Sequence, residues 1–202
     1  SLYLQGYYSG NGLMSPALFN QGVNNDEEAV DSIQVELHES TSPFNVVAST
    51  TCLLYSNGNA VAKFPPMTGL YYVVIKHRNS IDTWSALPLS VAPCRACPYQ
   101  EWKDQFTSVY GNNLVEVSQG IFAIYSGDLN RDENIDLLDA PLLENDINNF
   151  TYGYFPTDLN GDGNVDLLDS PVLETNINNF IFFKICKNNW YASRVNGHLR
   201  YK

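Results

Sequence analysis

Two stretches of the chain place oxygen-bearing side chains at positions 1, 3, 5, 9 and 12 of a twelve-residue window. In the first these are Asp128, Asn130, Asp132, Asp136 and Asp139; in the second they are Asp158, Asn160, Asp162, Asp166 and Asp169. Position 7, Asn134 or Asn164, would add its backbone carbonyl. Hard and partly anionic oxygens wrapped within twelve residues are the donor set that Ca²⁺ selects, whereas Mg²⁺ prefers smaller octahedral sites and keeps its waters. The four aspartates in each window repel one another without a cation. Calcium is therefore expected to contribute to folding, with two Ca²⁺ ions bound, one per window.

The windows belong to an internal duplication. Residues 127–150 read GDLNRDENIDLLDAPLLENDINNF and residues 157–180 read TDLNGDGNVDLLDSPVLETNINNF, with 16 of 24 positions identical. Gly163 at position 6 of the second window permits a sharp turn; the first has Glu133 there, which predicts a weaker or strained loop. Position 8, Ile135 or Val165, is apolar, as expected if the two loops pack together at that point. Leu142, Leu143, Ile147 and Phe150, and in the second copy Val172, Leu173, Ile177 and Phe180, follow at helical spacing. Pro141 and Pro171 fall near the helix starts, where a missing N–H does no harm.

The elements preceding the repeats read as strands. Apolar, aromatic or β-branched runs alternate with Gly, Asn, Pro and Ser clusters. They are Leu2–Tyr8, Ser32–His38, Val46–Tyr55, Ala60–Phe64, Leu70–His77, Thr83–Val91, Leu114–Val117 and Ile121–Tyr125. Ile33, Val35 and Leu37 alternate with Gln34, Glu36 and His38, the period of a strand with one wet face. Asn57-Gly58 is a hairpin signal. Eight short strands suggest an immunoglobulin-type sandwich, and no helix-length amphipathic window precedes residue 137.

The 202 residues carry 22 acids against 11 Lys and Arg, a net charge of −11. Phosphates repel such a surface, so nucleic acid is not an expected partner. No apolar run is long enough to span a membrane. A chain beginning at Ser1 is what a trimmed secreted product would give. All five residues that charge the segment 184–202 are basic, so an acidic body is followed by a basic tail. Cys52, Cys94, Cys97 and Cys186 lack the context of a redox motif or a zinc site; disulfides of open connectivity are the expectation, with free, buried thiols as the alternative. His38, His77 and His198 fall in no catalytic or metal motif, and His77 is expected to be structural. No nucleophile elbow, phosphate loop or dinucleotide fingerprint occurs, so no enzyme is expected. Glu27, Glu28 and Asp31 form an acidic cluster that reads as a solvated loop, with a further calcium site as the alternative.

The repeats resemble the calcium loops of dockerin modules, D-x-N-x-D-G-x-[IV]-[ND]-x-x-D followed by a short helix, over Asp128–Phe150 and Asp158–Phe180. That resemblance implies calcium in both loops. Dockerins also bind cohesin modules, commonly through polar pairs at positions 10 and 11. Here those positions are Leu137-Leu138 and Leu167-Leu168, which are expected to pack on the chain's own sandwich or on another subunit. The run Leu70–Ser85, with Ile121–Asp128, is similar to a family of secreted bacterial surface proteins in which an immunoglobulin-like domain leads into two dockerin-like repeats. The fold class implied is mainly β: an immunoglobulin-like β-sandwich over 1–126, a dockerin-like pair of calcium loop-helix repeats over 127–183, and a basic C-terminal tail over 184–202.

The functional expectation is a non-enzymatic, calcium-stabilised structural protein outside the cell or on its surface. It would self-associate into a homo-oligomer or filament, through strand pairing by Leu2–Tyr8 and head-to-tail contact of acidic body and basic tail. The alternatives are a docking module for a cohesin-like receptor, and a carbohydrate-binding or adhesion module that stacks glycans on exposed aromatics such as Trp84 or Tyr72.

Overall fold

A computed structural model of the chain describes residues 1–92 and 100–182. Cys94, Cys97, Cys186, His198 and the basic tail lie outside the described residues. The first half runs β1 (Tyr8–Gly10), β2 (Leu13–Met14), a one-turn helix α1 (Ala17–Asn20), β3 (Ala29–Glu39), β4 (Val46–Tyr55), β5 (Gly69–His77), β6 (Ser80–Trp84), β7 (Leu89–Val91), β8 (Val115–Ser118) and β9 (Ile121–Ala123). β10 (Asn134–Ile135), α2 (Ala140–Asn148), α3 (Ser170–Asn178) and β11 (Ile181–Phe182) complete the order.

The fold is mainly β. An antiparallel sheet in the order β4-β3-β5-β6 forms one layer, and β7 also pairs with β5. The β8-β9 hairpin and the N-terminal segment form the other, joined where Leu4 bridges Ile124. Ile33, Val35 and Leu37 turn into the space between, as their alternation requires, and are 1–6% exposed. The opposite face of β3 is drier than expected, since Glu36 and His38 are also buried. Phe44, Tyr72 and Trp84 cluster over that face, and His38 packs on Trp84 with ring centroids 4.5 Å apart and the planes tilted by 58°. Its Nδ1 lies 2.8 Å from the Phe44 carbonyl.

Three expected strands differ. Thr83–Val91 is interrupted between β6 and β7, where Pro88 has no N–H to give; at the start of the break Ser85 N–H donates to the Val73 carbonyl at 2.8 Å and Ser85 Oγ accepts the Val73 N–H at 3.0 Å. Ala60–Phe64 keeps one bridge, Ala60 to Leu54, before Pro65-Pro66. Leu2–Tyr8 breaks into a turn after Leu4. Its first residues are committed to this chain's own core: Leu2, Tyr3 and Leu4 are 5%, 4% and 0% exposed. Leu2 N–H donates to the Gly58 carbonyl, and Ile124 N–H donates to that of Tyr3. The segment is thus not free to pair with a neighbour's sheet edge.

One hydrophobic cluster runs from the sandwich into the repeats. It joins Leu4, Ile33 and Ile124 to Leu129, Ile135, Leu143, Leu159, Val165 and Leu173.

Candidate metal centre

Each twelve-residue window folds as a loop that ends at a helix. Asp139 and Asp169 stand at the N-caps of α2 and α3, and Pro141 and Pro171 sit in the first turn, where the sequence places them. The helices stop at Asn148 and Asn178. Phe150 and Phe180 therefore lie beyond them with φ of 52° and 54°, and are 87% and 83% exposed rather than on the buried stripe.

The two loops are wired alike. The carboxylate at position 12 accepts three backbone amides. Asp139 Oδ1 takes Leu129 N–H at 2.8 Å and Asn130 N–H at 3.0 Å, and its Oδ2 takes Asp136 N–H at 2.9 Å. Asp169 repeats this with Leu159 at 2.7 Å, Asn160 at 3.0 Å and Asp166 at 3.0 Å. Asn130 and Asn160 each accept the amide two residues on at 2.8 Å. So do Asp132, from Asn134 at 3.0 Å, and Asp162, from Asn164 at 2.8 Å. Asp136 and Asp166 accept from Leu138 and Leu168 at 2.7 Å. These are Asx-type turns that curl the chain around its own oxygens.

The position-1 carboxylates sit at the centre of each loop. Asp128 and Asp158 are 4% and 0% exposed. Burial, then the charge of Asp139, pushes the Asp128 carboxyl up to about 7. Burial and Asp169 push Asp158 up to about 6. Asp139 and Asp169 are raised as well, again chiefly by burial. Among the described residues no Lys or Arg ion-pairs with these aspartates. No three His, Cys, Asp or Glu side chains of the described residues converge as a metal cluster. The carboxylates are turned onto backbone amides, and position 3 is Asn. Each acceptor oxygen still has a lone pair beyond its amide bonds. Buried, like-charged oxygens with no cation of their own fit a hard divalent ion.

The loops differ at positions 4 and 6, both left-handed. The second loop has Gly161 and Gly163 there, φ 75° and 89°; the first has Arg131 and Glu133, φ 61° and 74°. The strain expected at Glu133 is thus present in the backbone, and Arg131 shares it. The position-8 residues do not pair the loops with each other. Ile135 pairs with Ile181 after α3. In the second loop Asn164 bridges Tyr152, and Val165 N–H donates to the Thr151 carbonyl. Ile135 and Val165 instead enter the common core, 1% and 3% exposed.

The second loop is built against the sandwich. Tyr7 hydroxyl and Asn79 Nδ2 lie 3.5 and 3.4 Å from the Asp158 carbonyl. Asn79 also donates to the Pro156 carbonyl at 3.0 Å, and Arg78 donates to that of Phe155. Gln21 Nε2 donates to Asp158 Oδ2. Behind this contact Asp31 is fully buried. It accepts Arg78 Nε at 2.8 Å and the Tyr154 hydroxyl at 2.5 Å. His77 Nε2 is 3.1 Å away, outside hydrogen-bond alignment. Burial drives the Asp31 carboxyl up, but His77, Arg78 and Tyr154 more than offset it and hold it well below the usual carboxylate range. The expected acidic cluster is therefore divided: Glu27 and Glu28 are exposed, while Asp31 is neither solvated nor available to a cation. His77 is structural, its Nδ1 paired with Ser80 Oγ at 2.9 Å. Sequence reasoning did not find Tyr7, Gln21, Arg78 or Asn79, because no local spacing marks contacts made across tens of residues or more.

Leu137, Leu138, Leu167 and Leu168 are 65–74% exposed. They do not pack on the chain's own sandwich, because positions 10 and 11 face outward between the ligand loop and the helix. Trp84 and Tyr72 are 3% and 9% exposed, packed on each other at 6.0 Å between ring centroids, and offer no face to a sugar.

With this geometry in hand, the Dockerin type I domain family matches residues 126–178. The match takes in both loops and α2 and α3, about a quarter of the chain. No curated protein matches the chain. Dockerin modules bind calcium and are non-catalytic docking elements. No described helix is long and apolar enough to cross a membrane.

Proposed function

We propose that the chain is a calcium-organised, non-catalytic docking module that works outside the cell or on its surface. Residues 1–126 serve as an immunoglobulin-like scaffold, residues 127–183 hold two Ca²⁺ ions and residues 184–202 form a basic tail. The observation that carries this reading is the pair of matching loops. Each closes a buried position-1 aspartate over an amide-bonded position-12 aspartate, inside the segment that the dockerin family matches. Asp128, Asn130, Asp132, Asp136 and Asp139, with the Asn134 carbonyl, would hold one ion. Asp158, Asn160, Asp162, Asp166 and Asp169, with the Asn164 carbonyl, would hold the other. The ions neutralise crowded carboxylates and so fix where each loop hands over to its helix.

The partner surface in this reading is the doubled leucine pair, Leu137-Leu138 and Leu167-Leu168, with the helix faces beside it. Apolar side chains left this open usually mark a contact site. The partner is a cohesin-type receptor. The test is binding of an immobilised cohesin domain to the chain with calcium and with chelator. Binding that needs calcium and falls at least tenfold in Leu137→Ser/Leu138→Ser and Leu167→Ser/Leu168→Ser supports docking. No binding in either condition refutes it. Self-association is the second reading, favoured by the apolar character of these pairs; calcium-dependent oligomers that the same serine variants dissolve would select it.

A further inference from the structure

We infer that Gln21, contributed by the sandwich, is a positioning residue for the second calcium loop, so that this loop binds its ion with help the first loop lacks. The inference rests on the calcium reading above and deepens it. Gln21 follows α1, whose Ala17 and Leu18 are buried against the sandwich, so its backbone is anchored there. Its side chain reaches across 137 positions of sequence to donate from Nε2 to Asp158 Oδ2. The same oxygen accepts Gly163 N–H at 3.0 Å, while Oδ1 accepts Gly161 N–H at 2.8 Å. The position-1 carboxylate is thereby held by one side-chain and two backbone donors, which fixes its rotation.

Two further observations belong with this contact. Position 6 is glycine, and the Gln21 stem packs against it: a Cβ on Gly163 would come within 3.3 Å of Gln21 Cγ, a tight contact. In the first loop position 6 is Glu133, exposed, and among the described residues Asp128 is held by the backbone amides of Asp132 and Glu133, at 3.2 and 3.3 Å, with no side-chain donor. The other end of the Gln21 amide, Oε1, is buried and has no hydrogen-bond partner among the described residues. A buried orphan carbonyl beside a carboxylate cage is suited to a cation or its coordinated water. The neighbouring contacts make the support rigid: Ser15 Oγ donates to the Gly161 carbonyl at 3.3 Å, and a Cβ on Gly161 would meet Ala17 Cβ and Tyr7 Cδ1 at 3.0 Å. Groups outside the ligand shell that orient a ligand carboxylate are worth about ten- to a hundredfold in metal affinity.

The test is calorimetric titration of the full chain with calcium in two backgrounds. Asp128→Asn leaves only the second loop competent, and Asp158→Asn leaves only the first. Gln21→Met keeps the stem packed on Gly163 but deletes the amide. It should weaken calcium about tenfold in the Asp128→Asn background and leave affinity unchanged in the Asp158→Asn background. Its melting temperature in excess chelator should fall by no more than about 2–4 °C, the cost of one lost hydrogen bond of about 1 kcal/mol, whereas a merely structural role would lower it further and would weaken calcium in both backgrounds. Equal affinity with and without the amide in the Asp128→Asn background, an equal loss in both backgrounds, or a fall in the chelated melting temperature well beyond that of one hydrogen bond would overturn the inference. A parent chain that takes up no calcium would overturn the calcium reading itself, and is distinguished by the first titration.

Discussion

Gly6→Ala tests whether the sandwich and the second loop are one mechanical unit. Gly6 is not in the left-handed region, so its replacement costs no backbone strain of that kind. The cost is steric. An added Cβ would lie 2.0 Å from the Leu159 carbonyl oxygen and 3.0 Å from its carbon. A tolerable C···O approach is about 3.3 Å, so the turn and the loop must part by about 1.3 Å. That movement loosens Gly6 N–H to Ser126 Oγ, now 3.1 Å, and the contacts of Tyr7 and Asn79 with the Asp158 carbonyl. Overpacking costs about 1–3 kcal/mol and each weakened hydrogen bond up to about 1 kcal/mol, giving about 3 kcal/mol in all. At about 2–4 °C per kcal/mol for a chain of this length, the melting temperature should fall by about 6–12 °C. The assay is thermal unfolding by circular dichroism in calcium. Gly120→Ala is the control: φ is 70° there and no atom lies within 4 Å of the added Cβ, so only strain of about 1 kcal/mol applies. A Gly6→Ala chain that melts with the parent would refute the claim that these surfaces are in register.

Three other outcomes follow from the same geometry. Chelation should lower the melting temperature by about 10 °C or more, since each ion at a hundredfold excess over its Kd adds about 2.7 kcal/mol; Asp128→Ala or Asp158→Ala should each remove about half of that calcium-dependent shift in a thermal scan. Glu133→Gly should tighten the first loop about two- to fivefold in a calcium titration, because left-handed strain of about 1–2 kcal/mol is relieved against a glycine entropy cost of about 0.5–1 kcal/mol. Asp31, with its folded pKa depressed, contributes stability that is fully present above its unfolded value of about 4 and is lost as pH falls from there toward the folded value. Urea unfolding of Asp31→Asn should therefore lose most stability at neutral pH and converge on the parent in acid.

The candidate calcium loops were legible because the oxygen-bearing residues fall within twelve consecutive positions and occur twice. Asp128 and Asp158 are buried, and Asp139 and Asp169 close the loops, as the spacing implies. The β character of the first half was legible from alternation, and Ile33, Val35 and Leu37 turn inward together. What escaped depends on distant partners. Nothing near Asp31 in sequence announces Arg78 or Tyr154, and nothing near Gln21 announces Asp158. Helical spacing carried the helices two residues too far, to Phe150 and Phe180, because it does not register that these residues are themselves left-handed and stand beyond the helix ends. Aromatic content suggested open rings at Trp84 and Tyr72, but the two cover one another on the sheet face, and Phe44 from the β3–β4 connection closes over both.

The most direct test is the number of calcium ions held by the intact chain, counted by native mass spectrometry on protein dialysed against calcium. The account predicts two for the parent, one for Asp128→Ala and one for Asp158→Ala. A parent spectrum with no bound calcium, or a count that neither substitution changes, would contradict it.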